Sequence, residues 1–370
     1  MSTYKLISSD SHIIESPDLW EKRIDPKFKD RAPRLVREGD NDQWYCDGMV
    51  FGGVGVNQQA GLRFEEPENL TLEGSMETVP VGGLDPHAHV KDMDLDGVAG
   101  GVLYPSQGLT LFRVPASDVL SAAFRAYNDY VAEFCKPSPH RLKGIAMINV
   151  DDVEDGLREL ERAAKMGLAG AMISIRPFLR YDHPAYQRFW AAAQDLDMPL
   201  SLHTGTMRWS PGTDVGGLVL QNAFDFPTRD HDVRQCINAM IFSGVFERYP
   251  KLKIGAVEFE ISWAPYFLRR MDEFYTQRAM GVRGRRFKGG ALPSDFFRQN
   301  IFISFQEDDL GIQLRGHVGV ENLLWGSDYP HAESTFPRSR EILERILQDV
   351  PEEEKAKIAG ENAARLYHFN

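Results

Sequence analysis

The sequence predicts an α/β fold, a (β/α)8 barrel of the TIM type with an N-terminal loop and hairpin insertion, on three observations. Short apolar runs alternate with amphipathic helical stretches. Eight such runs can be counted. Acids and histidines recur where the runs end. Strand alternating with helix implies parallel strands and helical crossovers. Eight units point to closure as a barrel. The alternative, an open doubly wound sheet, would carry GxGxxG after its first strand, and none is present.

The first strand is expected from Tyr4 to Ser9, leading into Asp10-Ser11-His12. A polar, Gly-rich insertion follows, at about residues 35–84. It holds one hairpin-like piece, QWYCDGMVFGG, with Asp47-Gly48 at the turn. It lacks a helical period and is expected to lie as a layer over the active-site face. The other strands are expected at Ala99–Leu103, Leu142–Ile148, Gly170–Ile175, Pro199–His203, Leu252–Val257, Asn300–Ser304 and Asn322–Gly326. Helices are expected at Ser117–Cys135, Val153–Met166, Pro184–Leu196, Asp230–Phe242 and Ile261–Arg278. Pro351 to Leu366 reads as one or two surface helices, and residues 1–370 as a single domain.

A chain of 370 residues, 42% hydrophobic and 11% aromatic, can fill one large core. The formal charge is −12 and Lys and Arg form no long runs, which argues against nucleic-acid binding. Cys46, Cys135 and Cys236 are far apart and form no CxxC pair, as expected of a reducing cytoplasm. No secretory signal is visible, and no run of 18 apolar residues predicts a membrane span.

Strand ends carry the chemistry, because all strand C-termini of a barrel open onto one face. Asp10 and His12 lie two apart in a strand and point the same way, so they can grip one ion; alone, they also read as caps or turn formers. His203 ends the apolar run PLSLH and reads equally as a core histidine. Glu258 and Glu260 follow LKIGAV; a carboxylate there needs a partner or a metal, although one of the two fits a helix N-terminus. Asp328 follows a buried run in NLLWGSDYPH, where a turn or cap is the alternative. Together these form a mixed N/O set suited to zinc, manganese or iron, one or two ions per chain.

At these residues the sequence resembles the amidohydrolase superfamily. More narrowly it is similar to the branch with aminocarboxymuconate semialdehyde decarboxylase and related aromatic-acid decarboxylases. The carriers are DSHIIESPDLW, DMDLDGVAGGVLYPS, LSLHTG, GVFERYPKLKI followed by an acid and Trp263, and WGSDYPH. The resemblance implies a barrel with a divalent metal. Asp10 and His12 match the strand-one ligand pair, which is often HxH. His203 matches the strand-five ligand, and Asp328 the strand-eight aspartate. Three departures stand out: Asp10 holds the first ligand position in place of His, Glu258 occupies the region where the decarboxylases carry a His, and ISIRPF at strand four has no Lys to carbamylate. Tyr104 could add a phenolate ligand, with a structural role as the alternative.

Hydrolysis of an amide, lactone or (thio)ester is the expected reaction. A divalent ion makes water a usable nucleophile near neutral pH, and Asp328 would take its proton. Tyr104 or His331 could donate to a substrate oxygen; His331 equally reads as orienting its loop. Arg176 could hold a substrate carboxylate in bidentate fashion or pair with a protein acid. The alternatives are non-oxidative decarboxylation or hydration of an aromatic or muconate-type acid, and a barrel using its metal only for stability. Trp44, Phe51 and Phe64 of the insertion suit a bulky apolar small-molecule substrate. The helix ISWAPYFLRRMDEFY either packs on the barrel or serves a homodimer or higher homo-oligomer.

Overall fold

The fold is known from a computed structural model that describes residues 4–55, 59–71, 73–209, 228–278 and 286–369. Residues 56–58 and 72 of the insertion lie outside the described residues. Eight parallel strands form one sheet in chain order: β1 (Leu6–Ile13), β5 (Val98–Pro105), β6 (Leu142–Met147), β7 (Gly170–Ile173), β8 (Leu200–His203), β9 (Ile254–Val257), β10 (Ile301–Phe305) and β11 (Leu323–Trp325). Every residue of β1 and of β6 to β11 except Lys143 is buried, as befits strands covered on both faces.

All but the first of the following helices fall where the apolar period places them. They are α1 (Pro86–Asp96), α2 (Ser117–Cys135), α3 (Val153–Lys165), α4 (Gln187–Asp195), α5 (Asp230–Phe242) and α6 (Ala264–Gln277). α3 shows the local logic. Asp152 caps it by accepting from the amides of Glu154 and Asp155, acids fill its first turn, and Arg162 and Lys165 its last. α1 was not expected from the sequence, although Asp85 caps it, Pro86 opens it and Gly97 closes it in the left-handed region at φ 72°. Its weak amphipathic pattern hid it.

Three further differences have physical reasons. First, β1 runs through Asp10 and His12 to Ile13 rather than stopping at Ser9, because its pairing with β5 continues to Ile13↔Pro105 past an irregularity between Ser8 and Ser11. Second, the insertion contains three antiparallel strands: β2 (Arg34–Glu38), β3 (Asn41–Cys46) and β4 (Met49–Gly53). The β3–β4 turn is Asp47-Gly48, both at positive φ, as a two-residue hairpin demands. Third, the C-terminal helices are on the surface only at first: Glu352–Ala356 buries no residue, but the segment after it does. Ile358, Ala359, Gly360 and Ala363 are buried, and a Cβ at Gly360 would lie 2.4 Å from the Lys5 carbonyl oxygen. Glycine lets this segment seat against β1.

The sheet closes where β1 meets the segment after β11. The Asp328 amide donates to the Asp10 carbonyl at 2.8 Å, and the His12 amide to the Tyr329 carbonyl at 2.6 Å. Gly326 permits this approach, since a Cβ there would sit 2.6 Å from the Asp10 Cβ. Beneath the joint, Ser8, Ser11 and Ser327 hydroxyls lie 2.8–3.2 Å apart and satisfy one another. Among the described residues, no helix is long and apolar enough to cross a membrane. All three cysteines are buried and unpaired.

Candidate metal centre

β1, β8, β9 and the segment after β11 deliver Asp10, His12, His203, Glu258 and Asp328 to one point. Asp10, His12, His203 and Glu258 form a buried cluster of metal-ligating residues, and His12, Asp328 and His331 a second that shares His12. His12 Nε2 lies 3.4 Å from Asp10 Oδ1 and 3.0 Å from Asp328 Oδ1. His203 Nε2 lies 3.4 Å from Asp10 Oδ1 and 3.5 Å from Glu258 Oε2.

Both histidines are set by their other nitrogen. His12 Nδ1 bonds the Pro105 carbonyl at 2.8 Å, and His203 Nδ1 the Thr204 carbonyl at 3.0 Å. A carbonyl only accepts, so each Nδ1 carries a proton and each Nε2 is turned to the cluster, where in the neutral ring it can ligate an ion. Asp328 and Glu258 stand in left-handed backbone, at φ 60° and 64°. Non-glycine residues rarely adopt that conformation, and here it aims both carboxyls at the cluster.

The cluster fits a divalent cation on two counts. Asp10 Oδ1 and Oδ2, His12 Nε2, His203 Nε2 and Asp328 Oδ1 and Oδ2 are buried without a hydrogen-bond partner among the described residues. Leaving so many polar atoms unsatisfied is costly unless an ion takes them. In addition, bonds of about 2.1 Å place neighbouring ligand atoms roughly 3.0–3.4 Å apart, close to the spacings found here. Glu258 differs from the other four, for its carboxyl already has a protein partner, Arg229 Nη1 at 3.4 Å.

The electrostatics agree. Burial lowers the His12 imidazolium's hold on its proton, but Asp10 and Asp328 outweigh burial and keep its pKa well above the ordinary range. Burial raises Asp10 and Asp328, yet the histidines beside them bring both below the usual carboxylate values. Glu258 goes the other way: burial first, then the charges of Asp328 and Glu333, push it well up. The site is acid-rich and calls for positive charge at its centre.

His331 is stacked on the His12 ring, with centroids 3.9 Å apart, its Nδ1 3.0 Å from Asp328 Oδ1 and its Nε2 2.9 Å from Ser106 Oγ. Tyr104 stands beside the cluster, its ring 5.0 Å from that of His203. Its hydroxyl is engaged by Ser201 at 2.6 Å, and burial raises its pKa far above the range in which a phenolate forms. The Arg176 guanidinium is half-exposed and bound to Asp232 at 2.6 Å, the protein-acid partner rather than an open clamp. Glu260 lies just beyond Glu258, with its carboxyl pushed up to about 7 by burial and by Asp308.

The insertion meets this face through Arg63, which donates to the Ser334 carbonyl at 2.9 Å, and through the Phe51 carbonyl, which accepts from Arg113 at 3.4 Å. Phe64 lies under the Arg63 and Arg338 guanidinium groups, while Trp44 is buried edge-on to Trp20. Sequence reasoning missed Ser106, Arg113, Arg229 and Glu333. All sit in loops without periodicity, although Arg113, a lone cation in the apolar run LTLFRVP, carries a readable signal.

Comparison with known proteins agrees with the geometry. The amidohydrolase family model matches residues 113–369, more than two thirds of the chain. Gamma-resorcylate decarboxylase from Polaromonas sp. (strain JS666 / ATCC BAA-500) is 28% identical over 268 residues, covering 66% of this chain and 76% of the relative. An amidohydrolase from Mycobacterium avium subsp. paratuberculosis K-10 has the same fold, with a TM-score of 0.80, 21% identity, and coverage of 99% of this chain and 98% of that one. A dihydroxybenzoic acid decarboxylase from Polaromonas sp. JS666, solved with bound manganese and 2-nitroresorcinol, gives a TM-score of 0.65 at 19% identity, covering 100% and 98%. The matched span begins after β1, so the strand-one pair Asp10 and His12 stands on geometry. The eight-stranded barrel, the buried ligand cluster at its closing joint and the family match agree: this chain belongs to the amidohydrolase family.

Proposed function

We propose that this enzyme is a metal-dependent, non-oxidative decarboxylase of a hydroxylated aromatic acid, the alternative to hydrolysis that the sequence left open. One observation carries the reading: a buried carboxyl, that of Glu258, borders the cluster, its Oε2 3.5 Å from His203 Nε2, where it can serve as an acid. Decarboxylation of an aromatic acid replaces the carboxylate with hydrogen, so a proton must reach the ring carbon. Hydrolysis asks instead for a base. Glu258 lies against His203 and Arg229, and burial with the charges of Asp328 and Glu333 raises its pKa, the direction an acid catalyst needs. The curated decarboxylase from Polaromonas supports the same choice.

Asp10, His12, His203 and Asp328 would hold the ion, with manganese favoured by the dihydroxybenzoic acid decarboxylase neighbour. When bound, it supplies a Lewis-acidic anchor for the substrate's carboxylate and adjacent hydroxyl oxygens. Glu258 gives its proton to the ring carbon that bears the carboxylate. The bond from that carbon to the carboxyl carbon then breaks, its electron pair restores the aromatic ring, and carbon dioxide leaves. Glu258 ends as a carboxylate and must regain a proton, for which Glu333, close enough for its charge to act on Glu258, is the neighbouring acid. His331 keeps Asp328 and the His12 ring in place.

The test is carbon dioxide release from 2,6-dihydroxybenzoate and related hydroxybenzoates by manganese-loaded protein. In deuterium oxide the product should carry deuterium at the vacated ring carbon. Glu258→Gln should lower kcat by about 100-fold or more with metal content unchanged. Turnover of esters or lactones without release of carbon dioxide from any acid would restore the hydrolase reading.

A further inference from the structure

Two arginines are buried among the described residues, Arg113 at 6% exposure and Arg208 at 3%. Arg208 is fully provided for. It binds Asp151 at 2.6 Å and donates to the carbonyls of Phe112 and Val114, on either side of Arg113. Arg113 has no acid partner among the described residues. Its Nε donates to the Thr110 carbonyl at 3.2 Å and its Nη2 to the Phe51 carbonyl at 3.4 Å. Nη1 makes no hydrogen bond there. The guanidinium lies 5.2 Å from the Trp209 ring centroid and 5.8 Å from that of Phe51.

A buried cation without a counter-charge is expensive, and proteins keep one where an anion comes and goes. Burial pulls the pKa of Arg113 down to about 10, and among the described residues no charge opposes it. Its place is informative. Arg113 follows β5, whose end carries Pro105 and Ser106, the partners of His12 and His331. Trp209 follows β8 and His203, Asp151 follows β6, and Phe51 belongs to β4. Loops from three barrel strands thus meet the insertion around Arg113, on the face where the metal-ligating cluster opens.

We propose that Arg113 binds a second, non-reacting acidic group of the substrate, with the aromatic ring against Trp209 and Phe51. The substrate class is then an aromatic acid with two acidic groups, one for the cluster and one for Arg113. This rests on the decarboxylase reading for the reaction, but its test does not. The probes are benzene-1,3-dicarboxylate and benzoate, titrated calorimetrically into manganese-loaded protein. The wild type should bind the dicarboxylate about tenfold or more tightly than benzoate, as expected of a charge-assisted guanidinium contact. Arg113→Met should abolish that preference with metal content unchanged, and Arg113→Lys should keep part of it.

Thermal stability without ligand separates function from scaffolding. Removing an unpaired buried charge should leave the melting temperature of Arg113→Met unchanged or higher. A wild type that does not prefer the dicarboxylate overturns the proposal. So does an Arg113→Met that keeps the preference, or one that melts lower with its preference intact. A preference that persists in a protein releasing no carbon dioxide from any acid would sink the decarboxylase reading and leave the site standing.

Discussion

Stripping the ion and titrating it back should move the melting temperature by a predictable amount. Six buried atoms of Asp10, His12, His203 and Asp328 lack partners, and each such group costs about 1–3 kcal/mol until satisfied. An ion binding only the folded state at 100 times its Kd stabilises by about 2.7 kcal/mol. At about 2.1 cal/mol/K per residue, a chain of 370 residues unfolds with an entropy of roughly 780 cal/mol/K. The melting temperature should therefore rise by about 3.5 °C at that concentration, then by about 1.7 °C for each further tenfold. Differential scanning calorimetry of chelator-treated protein across a manganese series reads this slope. Asp10→Asn combined with His203→Gln should flatten it, and the metal-free double variant should melt no lower than metal-free wild type. A flat response of the wild type to manganese, zinc and iron alike, or a slope that survives in the double variant, refutes the reasoning.

Three further outcomes are expected. Gly326→Ala forces a Cβ to within 2.6 Å of the Asp10 Cβ; it should cost about 1–3 kcal/mol of stability and weaken manganese binding in equilibrium dialysis by about tenfold. Asp308 accepts the amides of Ile261, Ser262 and Gly311, each at 2.7 Å; Asp308→Ala should lower urea stability by on the order of 3 kcal/mol. Buried His89 holds the Gly82 carbonyl at 2.9 Å, and burial brings its pKa down to about 4 from 6.5. Because the folded value lies below the unfolded one, its stabilisation is complete above pH 6.5 and is lost as pH falls towards 4. The loss amounts to about 3 kcal/mol. His89→Gln should therefore show a smaller drop in melting temperature between pH 7 and pH 5 than wild type.

The barrel was legible because its parts are periodic. Apolar runs as short as Leu200–His203 and helices as regular as Ser117–Cys135 announce themselves. Asp10, His12, His203, Glu258 and Asp328 were legible because each interrupts or ends such a run. Where periodicity fails, the reading fails too. β2 is mostly exposed and reads as loop. The burial of the C-terminal segment after Ala356 depends on a single small residue, Gly360, against β1. Arg176 and Arg113 show the same limit for function. Both are arginines near strand ends, and only spatial neighbours, Asp232 for one and no acid among the described residues for the other, tell them apart.

The joint between Asp10 and Asp328 also dictates a timetable. Its halves belong to the first and last strands of the barrel, and Ser8 touches Ser327 across 319 positions of sequence. Closing a loop of that length costs on the order of 5 kcal/mol of chain entropy. On a ribosome, His12 and Asp10 emerge early and must wait for nearly the whole polypeptide before Asp328 arrives. An ion captured by all four ligands therefore certifies a finished barrel.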